Sequence, residues 1–251
     1  MKNSINFILQ GKGGVGKSFA SSILAQYFKD NKKMDNVIVA DTDPVNSTTA
    51  KVKRLNAEVI KIAENNKIVQ SKFDSMFESI LTSDNHTFVI DNGASTFLPL
   101  LQYFADNCVM EMFNDIGKNV YLHTIIVGGQ AQADTIEGFE SIAELVKDTN
   151  VKIIVWFNEF QGIPAIENIP LIETKFLNKN KDVLAGAIII KDRKSDAFDE
   201  DIERMTSMSL TLEEVKASEK FGLMSKSRLN RVFNDIYQQL DIVYDNKSME
   251  G

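Results

Sequence analysis

Residues 10–18, QGKGGVGKS, are spaced for chemistry on a phosphate group. Gly11, Gly16, Lys17 and Ser18 fill the pattern G-x-x-x-x-G-K-[S/T], in which glycines let successive backbone N–H groups turn inward onto a polyphosphate. A helix starting directly after the loop adds its N-terminal dipole. The lysine then reaches the β- and γ-phosphates, and the serine hydroxyl ligates Mg²⁺. Such a loop must be fed by a strand and must run into a helix. Ile5, Phe7, Ile8 and Leu9 supply the apolar strand, and residues 19–30 read as the helix, with Ala20, Ile23, Leu24, Tyr27 and Phe28 on one face. A flexible glycine-rich turn without a ligand could be spelled by the same letters, but it would not require this strand and helix.

Two further strand ends carry carboxylates. Asp91 closes the run TFVID, four apolar residues followed by a group that can hold the Mg²⁺ hydration shell near Ser18. A strand-end aspartate can also cap the next helix, and the phosphate loop upstream favours the metal role. The strand at 37–40 ends in Asp41-Thr42-Asp43-Pro44, which places two carboxylates on opposite sides of an extended backbone, so only one can face a γ-phosphate. An ordinary proline turn spells the same four letters. Asn158 ends VKIIVWFN and reads either as a loop cap or as a contact for a base.

The elements that must position these groups alternate along the chain. Runs 37–40, 59–62, 87–90, 121–127, 152–157 and 184–190 read as strands, and 47–55, 67–81, 95–116, 131–147 and 169–178 as helices. From Asp196 onward the pattern is helical only, closing with a helix over 225–244. Continuous apolar strands between amphipathic helices predict an α/β fold, a mostly parallel twisted sheet with helices on both faces. No repeat or composition shift marks a boundary, so residues 1–251 read as a single domain with helices at about 196–246 packed on it.

Composition narrows the classes further. The chain has 251 residues, 43% of them hydrophobic, with 4 Pro and 13 Gly, which suits a packed globule. A lone Cys108 excludes an internal disulfide framework or a cysteine metal cluster, and it reads as a core residue of an apolar helix. His86 and His123 lack metal-ligand spacing. A net charge of −7 argues against an obligate nucleic-acid binder, although a local basic face is compatible with it. With no charged-then-apolar leader and no apolar run of roughly 20 residues, the expected compartment is the cytoplasm.

Lys12, inside the loop, turns the motif into KGGVGKS, and this resembles the deviant Walker A box of the ParA/MinD ATPase superfamily. The resemblance implies ATP and Mg²⁺ as ligands, contacts along Gly11, Lys12, Gly13, Gly14, Val15, Gly16, Lys17, Ser18 and Phe19, and a P-loop NTPase fold. It implies that Lys12 reaches the phosphates of the partner's ATP in a nucleotide-sandwich homodimer. It also implies that Asp43 prepares the attacking water and that Asp41 lies near the metal with Ser18 and Asp91. The adenine edge falls to Asn158, with 188–193 as the other base-side loop. The segments FVIDNGASTFLPLLQYF and YLHTIIVGGQAQADTIEGF are similar to the ParA-like TraL group of plasmid conjugal-transfer and mobilisation regions. One departure from the superfamily is Asp91-Asn92-Gly93-Ala94-Ser95, where D-x-P-x-G is usual.

The resulting expectation is a slowly hydrolysing ATPase, with Lys12, Lys17 and Asp43 as catalytic groups, that dimerises with ATP and acts in conjugal transfer, mobilisation or plasmid positioning. A biosynthetic ligase or synthetase of the same fold would need a small-molecule pocket beside the γ-phosphate, and a non-hydrolysing scaffold would show no turnover. The stripe Leu229, Val232, Phe233, Ile236, Leu240 and Val243 reads as a core seam, so no stable membrane association is expected. Lys216, Lys220, Lys226, Arg228 and Arg231 form the face on which sequence-independent DNA binding would rest, beside a protein partner of the transfer machinery.

Overall fold

A computed structural model describes residues 3–64 and 67–245. Seven strands form the main sheet: β1 (Ser4–Ile8), β2 (Val37–Asp41), β3 (Glu58–Val59), β6 (Thr87–Asp91), β7 (Asn119–Val127), β8 (Lys152–Asn158) and β11 (Leu184–Ile190). Their order is β11-β8-β7-β1-β6-β2-β3, and every ladder is parallel. Two antiparallel hairpins stand outside it, β4 (Ala63–Glu64) with β5 (Lys67–Ile68), and β9 (Ala165–Ile166) with β10 (Ile169–Pro170). The apolar runs are continuous because both faces are covered. Helices α3 (Ser71–Thr82), α4 (Phe97–Asp106), α5 (Val109–Asp115) and α6 (Gln132–Val146) bury Phe73, Phe104, Phe113 and Phe139 on one face. Helix α1 (Lys17–Gln26) and the C-terminal α8 (Asp196–Ser207), α9 (Leu212–Ala217) and α10 (Leu223–Asp245) pack on the other, through Leu24, Phe28, Val215 and Phe233. Short helices α2 (Thr48–Lys51) and α7 (Phe176–Lys179) complete the chain.

The parallel ladders bring all the strand carboxyl ends to one edge, where open α/β sheets bind ligands. Ile8 pairs with both Asp91 and His123, and Asp41 with Asp91, so the ends of β1, β2 and β6 are level, while β7 runs on to Val127, level with Asn158 of β8.

A buried polar cluster closes the centre of the sheet against α10. The Trp156 indole N–H donates to His123 Nδ1 (2.9 Å), and the Tyr244 hydroxyl donates to Asn6 Oδ1 (2.7 Å). His123 Nε2 lies 3.3 Å from both Asn6 Oδ1 and the Tyr244 oxygen. Complete burial lowers the His123 pKa to about 3, so the ring is neutral. The indole donor makes Nδ1 the acceptor and leaves the proton on Nε2.

Several element boundaries differ from the sequence reading. The helix expected at 95–116 breaks at Cys108, whose φ of 50° starts α5 afresh and leaves its thiol exposed rather than in the core. Residues 169–178 begin as strand β10, because Glu167 and Asn168 take φ of 51° and 67° and turn the chain back on β9. Lys67 and Ile68 pair with β4, so α3 starts at Ser71, and the strand expected at 59–62 shortens to the two residues of β3. Helix α1 passes into a π-helical turn, Tyr27–Asn31.

Candidate functional site

The loop after β1 is pinned from below. Buried Gln10 donates through Nε2 to the carbonyls of Ile125 (3.0 Å) and Thr135 (3.1 Å), tying the loop to the end of β7 and the first turn of α6. Gly14 and Gly16 take φ of 75° and 101°, in the left-handed region that a side chain resists. Nothing lies within 4 Å of where a Cβ would sit on Gly13 or Gly14, whereas one on Gly16 would meet Asn158 Nδ2 at 2.8 Å. The loop is thus open on one side and supported on the other. Helix α1 begins at Lys17 with no side-chain cap, so its first N–H groups remain for a ligand. Gly13, Gly14, Gly16, Lys17, Ser18 and Phe19 line a cavity of about 380 Å³ together with Asp43, Asn46, Thr48 and Ala94.

Lys17 reaches back to the Lys12 carbonyl (Nζ to O, 2.9 Å). Burial lowers its pKa, while the negative charges of Asp91 and Asp43 work the other way. A phosphate arriving at the loop would supply the stronger partner.

Asp91 is buried at the end of β6, and its Oδ2 accepts from Thr49 Oγ1 at 2.6 Å. Among the described residues its Oδ1 has no hydrogen-bond partner, nor has the Ser21 hydroxyl. Burial raises the Asp91 pKa to about 6, and the hydroxyls of Thr49, Ser18 and Ser21 oppose that shift. An under-coordinated carboxylate oxygen beside Ser18 fits the chemistry of Mg²⁺, a hard cation that takes oxygen ligands. No described group of three His, Cys, Asp or Glu side chains is arranged to hold a metal. Ser18 and Asp91, with nucleotide phosphates, would suit Mg²⁺, and the open cradle of Gly13 and Gly14 would suit a polyphosphate.

Asp41 stands differently. Its Oδ1 accepts from Asp43 N and its Oδ2 from Ala50 N, both at 3.0 Å, so both oxygens build the loop that follows β2. Burial still raises its pKa against those N–H donors. Asp43 builds its turn and also faces the cavity. Its Oδ1 accepts from Val45 N (2.8 Å) and Asn46 N (3.2 Å), forming the proline turn, and the side chain also lines the cavity with Lys17 and Ser18.

The segment after Asp91 joins these loops. Thr42 Oγ1 donates to Asn92 Oδ1 at 2.9 Å, and a Cβ on Gly93 would fall 2.8 Å from Asp43 Cγ. Asn92 and Gly93, where the superfamily has another pattern, thereby tie the β6 end to the Asp43 turn.

Lys12 lies on the exposed lip of the loop, its Nζ 2.7 Å from Asp134 of α6, with 43% and 54% of the two side chains accessible. Val15 is buried, and its carbonyl accepts from Asn158 Nδ2 at 3.0 Å, while Asn158 Oδ1 accepts from Phe160 N at 3.2 Å. Asn158 is thus a strut under the loop with one N–H to spare. Gly11 lacks room for a side chain because the Phe97 ring lies 2.9 Å from the Cβ position. Thr49 and Asp134 were not marked by the sequence, since each acts through a contact with a distant segment.

The basic face is smaller than its residue count suggests. Arg228 pairs with buried Asp201 (2.6 Å) and Lys216 with Glu213 (2.9 Å), leaving Lys220, Lys226 and Arg231, while Leu223 and Met224 beside them are exposed. No helix among the described residues is long and apolar enough to cross a membrane.

A parallel sheet whose central strand feeds a glycine loop into an uncapped helix, with a buried carboxylate at the end of the neighbouring strand, defines a P-loop nucleotide-binding protein. Residues 7–243 match the CobQ/CobB/MinD/ParA nucleotide binding domain, and the chain belongs to that family. It is 35% and 33% identical to two proteins named Protein TraL from Escherichia coli, in each case over 94% of this chain and 97% of the relative. The fold is also that of the MinC:MinD cell division protein complex of Aquifex aeolicus, with a TM-score of 0.50 at 14% identity over 94% of this chain and 95% of that one.

Proposed function

We propose that this chain is an ATP-binding, slowly hydrolysing switch that pairs with a second copy when ATP and Mg²⁺ are bound, and that it acts in plasmid conjugal transfer, mobilisation or positioning. The observation that carries the reading is Lys12 on the accessible lip of the phosphate cradle. Its own-chain partner is a half-exposed Asp134, and surface ion pairs of this kind are worth only about 0–1 kcal/mol, so a triphosphate presented by another copy would outcompete it. Lys17 and the loop N–H groups hold the β- and γ-phosphates, Ser18 and Asp91 hold Mg²⁺, and the metal ion supplies charge neutralisation on the phosphates. Asp43 orients the attacking water with the carboxylate oxygen not used by its turn. The likeness to the two TraL proteins supports the plasmid-transfer setting, with a protein of that apparatus as partner; the compartment proposed is the cytoplasm. Duplex DNA is the lesser candidate, given how few free cations the basic face retains, and no stable membrane association is expected.

Light scattering in Mg·ATP and in Mg·ADP tests the switch. Wild type should double its mass only in ATP, Lys12→Ala should stay monomeric while still binding nucleotide, and Asp43→Ala should remain dimeric because turnover is lost. Equal masses for all three proteins in both nucleotides would reject the reading. One observation favours a second reading, a ligase or synthetase: a cavity of about 540 Å³ adjoins Asp43, lined by Lys61, Ser47, Ser95 and apolar residues of the β3–β5 region. Phosphate release that needs an added metabolite would select it, and absence of turnover with every partner would leave a nucleotide-binding scaffold.

A further inference from the structure

The segment that follows β8 carries an unusual surface. Phe160 is 70% accessible, Ile166 and Ile169 are each 50%, and Ile163 and Ile172 are also exposed. Ile166 and Ile169 are direct partners across the β9–β10 hairpin, so their side chains share one face. Five large apolar side chains within thirteen residues are more than a lone surface normally leaves in water.

The hairpin is also held firmly. Gln132 of α6 clasps Ala165 from both sides, donating to its carbonyl (2.8 Å) and accepting from its N–H (2.9 Å), and Leu171 N donates to Pro164 O (2.8 Å). Its base is joined to the nucleotide loop: Gln161 Nε2 donates to Gly14 O at 2.8 Å, and Gly128 N to Gly162 O at 3.1 Å. The clasp on α6 lies two residues from Asp134, the partner of Lys12. Apolar hairpin, phosphate cradle and Lys12 therefore form one continuous face.

We infer that residues 160–172 are a docking surface for a second copy of this chain, an inference that rests on the ATP-dependent pairing proposed above. A copy whose nucleotide face meets Lys12 must also cover what adjoins the loop, and in a two-fold arrangement the same apolar patch is offered by both partners. The chemistry disfavours polyanionic surfaces. Residues 159–174 contain Glu159, Glu167 and Glu173 and no lysine or arginine, so nucleic acid and anionic lipid are repelled. Preformed rigidity keeps the ordering cost of association low.

The test is an Ile166→Ser, Ile169→Ser double variant of the full chain, measured beside wild type for ATP affinity with a fluorescent analogue and for dimer formation by sedimentation in Mg·ATP. Unchanged nucleotide affinity with dimerisation weakened by about tenfold or more supports the inference. Dimerisation equal to wild type overturns it and leaves the switch intact, and if that variant also fails to bind a transfer protein, the patch belongs to that partner instead. A wild type that stays monomeric in Mg·ATP rejects the switch itself and the docking surface with it. As a second readout, amide exchange across 160–172 should slow in Mg·ATP for wild type but not for Lys12→Ala, and equal protection in both would overturn the docking role.

Discussion

The ends of β2 and β6 are neighbours in the sheet, Asp41 paired with Asp91, and as sequence they look alike: an apolar strand closing on an aspartate. Their surroundings assign them different work. Asp41 is enclosed by the loop it builds, with a backbone N–H on each oxygen. Among the described residues, Asp91 takes the Thr49 hydroxyl on one oxygen, has the Ser18 and Ser21 hydroxyls close by, and makes no hydrogen bond through the other oxygen. Buried polar atoms are almost always satisfied, and an ionised carboxylate short of partners is costly, so this oxygen would suit a cation. Position in the fold thus brings both carboxylates to the ligand edge, and the supply of N–H donors decides which one is free to bind.

The largest effect that would break this contrast is on Asp91→Asn. Removing the charge beside Ser18 should lower Mg·ATP turnover by on the order of 10²-fold or more, as loss of a charge-stabilising group typically does. The nucleotide-free protein should gain up to about 3 kcal/mol at neutral pH, since a carboxyl with a pKa near 6 no longer has to ionise in the interior. Phosphate release and urea unfolding measure the two halves. Unchanged Mg²⁺ dependence would mean that Asp91 is structural.

Asp41→Asn sharpens the comparison from the other side. The amide offers one acceptor where two are needed, so either Asp43 N or Ala50 N is left facing a donor, at a cost of about 1–3 kcal/mol. The unfolding midpoint should fall, while whatever nucleotide binding remains should keep its full response to Mg²⁺. Loss of that response with normal stability would move the metal role to Asp41.

The contrast also predicts a pH dependence. The Asp91 pKa is raised, so the folded protein holds a proton that the unfolded chain releases near pH 4. The associated stability is present below that range and is lost as pH rises through about 6. Mg²⁺ requires the ionised carboxylate, so the extra thermal stability conferred by Mg·ADP over ADP with chelator should fade as pH falls below about 6. A difference that stays flat across that range would separate Asp91 from the metal.

The smallest effect belongs to Thr49→Val. It removes only the hydroxyl that favours ionised Asp91, so the midpoint of the same titration should move upward by less than about one pH unit. A downward movement would show that Thr49 stabilises the protonated form.

Much of the core of this molecule was legible in the sequence, because buried parallel strands and a glycine loop before a helix leave local signatures. The runs at β1, β6, β7, β8 and β11 were read nearly to the residue. What escaped has no local signature. Cys108 lies in an unbroken apolar pattern, and only its left-handed φ splits the helix. The β9–β10 hairpin turns on Glu167 and Asn168, within a run whose isoleucines and leucines read equally well as a helical face. Lys12 was marked, but Asp134 lies 122 residues away, and the N–H groups that occupy Asp41 are backbone atoms, invisible in a string of side chains.

The contact of Tyr244 with Asn6 has a consequence for how the molecule is born. Ribosomes deliver β1 well before the end of α10, yet the Asn6 side chain in the middle of the sheet takes a hydroxyl donor from that later helix. A nascent chain halted before that tyrosine would hold an incompletely satisfied amide and imidazole beside a bare aromatic face, where Tyr27, Phe28 and Tyr121 await their last ring. Leaving such buried groups unsatisfied costs about 1–3 kcal/mol each, a large part of what an ordinary domain has in reserve. The phosphate loop follows β1 directly, but the sheet that shapes it is sealed on this face only when α10 packs on it. Truncated products would therefore compete poorly for nucleotide.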